Sequence, residues 1–283
     1  MKKIFTVLVL ALIFITFFSL GVILGEAALT RGFASTPVFS QSPREQMEAR
    51  AIRIIVRSDE SITEENLKRN YYTGNGIYVA KGLVLTNHHI CQGMKKENEI
   101  PHIYFLIQDT YGDEYKIDSQ VVDNMKDLCL LKVNKIHLKY LPILNILDPD
   151  PQVTDTLIGA AYSYANPQTN ARGEMSSFFM FQERRAQVLE RSTMNHNSIN
   201  YPKLQEGEPP YAEQFAGPMY KLSSLINYGD SGGGVYSLND GTLSLAGIIF
   251  AKEYAIPYPA QGYMVPASSI IQFLKKNNVS LGN

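Results

Sequence analysis

Between Ala51 and Val265 the apolar residues of this chain fall in short runs, each closed by glycine, proline or asparagine turns. Runs of that length and regularity form strands, and a chain built mainly from them closes its sheets into barrels. The first set of runs covers residues 51–57, two strands within 71–90 joined at Lys81-Gly82, residues 102–107 and 114–117 around Tyr111-Gly112-Asp113, and residues 127–133. The second set covers residues 156–161, 177–181, 186–190 and 219–223. It ends in Val235-Tyr236-Ser237-Leu238 and residues 242–250, joined by the turn Asn239-Asp240-Gly241. Helical spacing stands out only near the end, where Ile270, Ile271 and Leu274 predict one amphipathic helix over residues 267–276. The expected class is all-β.

One loop feeding that last hairpin carries chemistry. Asn227-Tyr228-Gly229-Asp230-Ser231-Gly232-Gly233-Gly234 places a serine among glycines. Glycine admits positive φ and close approach of a substrate, and such a turn aims backbone N–H groups at one point, where a developing oxyanion is held. A serine hydroxyl is a weak nucleophile without a base, and the base needs an orienting carboxylate. Five histidines are available, and His88 and His89 end the strand Leu83-Val84-Leu85-Thr86. Asp127 directly precedes the apolar run Leu128-Cys129-Leu130-Leu131.

Gly-Asn-Gly-Ile-Tyr-Val, Leu-Thr-Asn-His-His, Asp-Leu-Cys-Leu-Leu-Lys-Val and Gly-Asp-Ser-Gly-Gly-Gly occur in that order. Together they resemble the successive signatures of the trypsin-like (chymotrypsin-fold) serine peptidases, in the style of the bacterial HtrA-type and glutamyl-endopeptidase-like branch, and the order His, Asp, Ser is the chymotrypsin one. The resemblance spans roughly residues 51–276. It implies two six-stranded antiparallel β-barrels, residues 51–147 carrying His89 and Asp127, and residues 148–283 carrying Ser231 and the C-terminal helix. Leu141-Pro142-Ile143 would begin the crossing between them, and no PDZ domain is expected after the helix.

The resemblance also implies roles. Ser231 is the nucleophile, His89 the general base, Asp127 its orienting carboxylate, and the N–H groups of Gly229 and Ser231 the oxyanion hole. His89 is chosen over His88 by its count from Thr86; His88, His102, His137 and His196 are structural or solvent-facing. The substrate pocket is expected from Leu225, Ile226, Ile249, Phe250, Ala251, Lys252 and Tyr263. Phe250 departs from the family, which often has a small hydroxyl residue there. The chain also lacks the Ile-Val-Gly-Gly start that pairs with the acid before the serine after zymogen cleavage, so Asp230 has another cation partner or faces solvent, and no activation step is expected.

Composition narrows the class. A formal net charge of −1 over 283 residues, with no basic block, argues against nucleic acid. Nothing implies a metal or other cofactor. The two cysteines, Cys91 and Cys129, follow His89 and Asp127 by two positions each; they could pair, but buried free thiols are the expectation. Lys2 and Lys3 precede an apolar run over residues 4–24, as long as a membrane anchor, while Gly25-Glu26-Ala27 offers the small residues of a cleaved signal. Either reading of residues 1–27 places the bulk of the chain outside the cytoplasm. Residues 28–50 read as a tether and residues 195–217 as a surface loop. The expectation is a serine endopeptidase acting on proteins or peptides, secreted, periplasmic or membrane-anchored. The alternative is a catalytically weak homologue serving as a binding or scaffold module. An α/β-hydrolase esterase fails on motif order.

Overall fold

The computed structural model describes residues 41–58, 74–97, 103–134, 136, 141–164, 168–169, 175–176, 179–193, 217–223, 229–252 and 262–279. Residues 42–283 form one compact unit; residues 1–41 form another, of which only Gln41 is described. No described helix is long and apolar enough to cross a membrane, and the apolar run over residues 4–24 lies outside the described residues.

The tether expected over residues 28–50 is corrected at its end, because Pro43–Arg50 is a helix, α1. Its start is a capping box. The Ser42 side chain accepts from the Glu45 N–H, Glu45 returns a bond to the Ser42 N–H, and Pro43 stands in the first turn. Met47 is 1% exposed and Arg50 2%, so the helix is part of the core. Arg50 donates to the carbonyls of Tyr78 and Pro142, tying α1 to the first sheet and to the crossing segment.

The first sheet contains β1 (Ala51–Ser58), β2 (Gly74–Ala80), β3 (Leu83–Thr86), β4 (Ile103–Gln108), β5 (Glu114–Lys116), β6 (Ser119–Asp123) and β7 (Leu128–Lys132). Their order is β5-β4-β1-β2-β3-β7-β6, and every pairing is antiparallel. The six expected strands become seven because one of them bends: β5 and β6, the two edges of the curled sheet, are separated only by Ile117 and Asp118. Chain continuity rather than a ladder joins the edges. A helix that the strand pattern did not predict, α2 (His88–Glu97), begins one residue after β3.

The second sheet contains β8 (Asn145–Ile146), β9 (Thr156–Tyr164), β12 (Phe179–Thr193), β13 (Pro218–Leu222), β14 (Gly234–Asn239), β15 (Thr242–Lys252) and β16 (Gly262–Pro266). A separate two-stranded ribbon is formed by β10 (Gln168–Thr169) and β11 (Met175–Ser176). Six strands close a barrel in the order β14-β9-β12-β13-β16-β15, sealed by the β14–β15 hairpin. The short β8 adds to β15 in parallel, so the second sheet begins at Asn145, slightly before the expected boundary at 148. The runs expected over 177–181 and 186–190 are one strand, β12, which passes from β9 to β13 through an irregularity at Val188–Glu190. The C-terminal helix α3 (Ala267–Lys276) stands where its periodicity put it.

Alternation decides what each strand buries. Along β7, Leu128 and Leu130 join the apolar cluster shared by both sheets, while Cys129 and Leu131 fill the interior of the first. In β15, Leu245 and Ile248 enter the shared cluster, and Ala246 and Ile249 the interior of the second barrel. Ile270, Phe273 and Leu274 of α3 close the shared cluster at its far side. These strands are therefore apolar on both faces, and the two sheets meet along a largely apolar seam at which the candidate site is assembled.

Candidate active site

Asp127 follows a 3-10 turn, Asn124–Lys126, and adopts the left-handed region at φ 51°. Aspartate is among the few residues that enter this region at modest cost. Its carboxylate is fully buried and grips the start of α2 twice: Oδ1 accepts from the His89 backbone N–H at 2.8 Å, and Oδ2 meets His89 Nδ1 at 2.8 Å. The backbone contact sets the first turn of α2 and the side-chain contact sets the imidazole plane. Asn87, also fully buried, donates to the Asp127 carbonyl at 3.3 Å and so supports this conformation.

The cysteine expectation is corrected: Cys91 and Cys129 form a disulfide. The reason is local. The first turn of α2 carries Cys91 back over β7, where Thr86 and Cys129 are register partners, and the two Cα atoms come within 6.5 Å. The bridge therefore links the element holding His89 to the strand that starts after Asp127.

Ser231 sits on the loop between Gly229 and β14. Gly229 and Gly232 have φ of 87° and 82°. Gly232 is held at both ends of its own peptide geometry: its N–H donates to Ile249 O at 2.9 Å, and a Cβ there would lie 2.0 Å from the Asn75 carbonyl oxygen. No side chain fits between loop and strand at that position. The Gly233 N–H donates to Asp230 O, whereas among the described residues the N–H groups of Gly229 and Ser231 meet no acceptor. These last two are the expected oxyanion donors.

Phe250 contacts both Ser231 and His89. Ser231 Oγ donates to the Phe250 carbonyl at 3.4 Å, and the Phe250 ring meets the His89 ring edge-on with centroids 6.1 Å apart. The serine hydroxyl is thus directed to the Phe250 carbonyl. Phe250 offers no side-chain hydroxyl, as its departure from the family pattern implies, and the Asp127 carboxylate is held by His89 alone among the contacts described above.

Asp230 is fully buried and does not face solvent. Arg184 Nη1 donates to its Oδ2 at 2.7 Å, and Ser163 Oγ donates to its Oδ1. Arg184 also reaches Ser163 Oγ at 3.1 Å and Gln182 Oε1. Sequence reasoning named no partner for this acid, because Arg184 falls between the runs expected over 177–181 and 186–190, and the continuous strand β12 brings it to Asp230.

Of the expected pocket residues, Ile249, Phe250 and Tyr263 are buried on β15 and β16. Ala251 and Lys252 belong to β15, but their side chains lie outside the described residues, as do Leu225 and Ile226. His102, His137, His196 and the loop over 195–216 also lie outside them. Among the described residues no group of His, Cys, Asp or Glu is arranged to hold a metal ion.

Residues 74–247 match the model of the trypsin-like peptidase domain. Among solved structures, the active form of the Rv3671c protease from M. tuberculosis aligns with a TM-score of 0.55 at 18% identity, covering 89% of this chain and 87% of that one. The inactive form of the same protease aligns with a TM-score of 0.53 at 18% identity, covering 85% and 95%. At that identity the likeness is one of fold. No curated protein matches significantly in sequence.

Proposed function

This chain belongs to the trypsin-like peptidase domain family, and from that premise we propose that it is a serine endopeptidase working outside the cytoplasm through Ser231, His89 and Asp127. The observation that supports the reading best is the double grip of Asp127 on His89 beside the Ser231 loop. With Nδ1–H held by the carboxylate, Nε2 is left as the basic nitrogen. Rotation about the Ser231 Cα–Cβ bond releases the hydroxyl from Phe250 O toward it. Ser231 Oγ attacks the scissile carbonyl carbon as its proton passes to Nε2. The resulting oxyanion is met by the N–H groups of Gly229 and Ser231, and the imidazolium is stabilised by Asp127. Collapse returns the proton from Nε2 to the leaving amine, and water repeats the sequence on the acyl-enzyme.

No liberated N-terminus is needed in this scheme, because Arg184 supplies the cation for Asp230 within the folded chain. Extracytoplasmic action is supported by the apolar run behind Lys2-Lys3 and by the disulfide, a bond that persists in oxidising compartments. The residue before the scissile bond is proposed to be apolar and of small to medium size. Leu225 and Ile226 offer no carboxylate for Lys or Arg, and Lys252 is the one cation in the expected walls, with a stem long enough to carry its amine to solvent.

The direct test is labelling of the folded protein with a fluorophosphonate, followed by mapping of the modified residue. The expected site is Ser231. Modification elsewhere, or none in a folded sample, would overturn the assignment and favour the scaffold reading.

A further inference from the structure

Asn75 is a polar residue inside an otherwise apolar stretch of β2, 1% exposed, with a glycine on each side. Its carboxamide lies across the seam between the two sheets and uses each of its hydrogen-bonding groups. Nδ2 donates to Tyr162 O at 3.0 Å and to Gly229 O, while Oδ1 accepts from the Tyr162 N–H at 2.8 Å. This pattern fixes the amide orientation, since the two carbonyls must face the nitrogen and the one N–H must face the oxygen. The main chain of Asn75 is committed as well: its N–H donates to Ser231 O at 2.8 Å, and its carbonyl accepts from Thr86 Oγ at 2.6 Å.

The place of these bonds in the second barrel explains what they do. The β14–β9 ladder runs through Tyr236↔Ile158, Val235↔Gly159 and Gly234↔Ala160, and then β14 turns away into the Ser231 loop. Two residues further along β9, Tyr162 would lack a partner on that side. The Asn75 carboxamide takes the vacated position, imitating a peptide group of the missing strand, and passes the connection on to Gly229 O. The Gly229–Asp230 peptide lies between the two peptides that carry the Gly229 and Ser231 N–H groups. Gly229 has no Cβ to restrict rotation about its own bonds, and no other bond to its carbonyl is formed among the described residues. The Asp230–Ser231 peptide is anchored through Asp230 O, which accepts from the Gly233 N–H, and the peptide after it through Ser231 O, which accepts from the Asn75 N–H. The Gly229–Asp230 peptide is anchored by the Asn75 side chain.

Resting on the serine-peptidase reading above, we propose that Asn75 is a positioning residue for the oxyanion hole: its side chain, from the first sheet, fixes the peptide that sets the angle between the two donor N–H groups on the second. Preorganised donors are what separate transition-state from ground-state binding. The carboxamide should therefore govern turnover and leave substrate affinity nearly untouched. Asparagine alone satisfies the three partners at this distance. A carboxylate of the same shape would face two carbonyl oxygens, and alanine would leave three partly buried groups without this partner.

The test uses the full chain with Asn75→Asp and Asn75→Ala beside wild type, each titrated with a fluorophosphonate so that rates are expressed per reactive Ser231. Both variants should lose about 10- to 100-fold in kcat, with KM changed less than about threefold, since loss of a whole oxyanion donor costs about 10²–10³. A peptidyl trifluoromethyl ketone, whose adduct carries an oxyanion, should weaken by the same factor as kcat/KM, while a cleaved-product peptide should bind as before. Thermal melting of each variant separates the effect from loss of fold, because a merely structural role lowers the melting temperature and leaves kcat per titrated site unchanged. A kcat per titrated site within threefold of wild type in Asn75→Asp, or equal weakening of ketone and product peptide, would overturn the proposal. Failure of wild type to label at Ser231 would instead remove the reading on which it rests.

Discussion

Arg184 on β12 donates to Asp230 at 2.7 Å, and the carboxylate it meets has no exposed surface. Buried carboxylates are strongly disfavoured without a partner, so the ion pair constrains the residue immediately before Ser231. Arg184→Ala should destabilise the protein by about 3 kcal/mol, at the low end for a broken buried pair because the arginine side chain is partly exposed. Urea denaturation measures this. The double variant Arg184→Ala, Asp230→Asn should recover part of the loss, and an unchanged unfolding midpoint in the single variant would show that the pair carries no stability.

Ser231→Ala and His89→Ala should each lower kcat by about 10⁴ or more while leaving the melting temperature near that of wild type. His88→Ala should leave kcat within about threefold, because His88 precedes the residue that Asp127 grips. Steady-state hydrolysis of a chromogenic peptide distinguishes them. The reverse order of the two histidine variants would move the base by one residue.

Replacing both cysteines with alanine opens a loop spanning a sequence separation of 38. Chain-entropy reasoning assigns about 4 kcal/mol to a loop of that size. The double variant should be less stable by that amount, and activity should decline before the fold is lost, since the bridge joins the elements of His89 and Asp127. Chemical denaturation and activity at a series of denaturant concentrations would read both; coincident curves would argue against a local role for the bridge.

A peptide library varied only at the position before the scissile bond should show a broad preference for small to medium apolar residues, because a methylene or two is worth about 1–3 kcal/mol in such a pocket. Dominant cleavage after Lys or Arg would mean that the pocket floor is misassigned, and dominant cleavage after Glu would mean that Lys252 points inward.

What was legible in the chain differs by physical origin. The serine loop, the strand before His89 and helix α3 follow from local spacing, and each stands where that spacing put it. Helix α1 was also legible, since Ser42, Pro43 and Glu45 spell a capping box, but two nearby prolines favoured an extended reading. The disulfide was not, because motif spacing carries no distance between α2 and β7. Arg184 meets Asp230 across 46 positions and Asn75 meets Gly229 across 154, and no local pattern predicts either. For Asn75 the visible clue was an amide-bearing side chain between two glycines at the start of an apolar run.

The separation of 154 positions between Asn75 and Gly229 has a consequence for how the molecule is born. Contacts so remote along the chain are formed late, after local hairpins have already gained most of their order. Refolding with the disulfide intact should therefore show sheet formation by circular dichroism well before hydrolytic activity returns, so that a nascent chain acquires its barrels while still harmless to its neighbours. Simultaneous recovery of the two signals would place the docking of the seam at the start of folding instead.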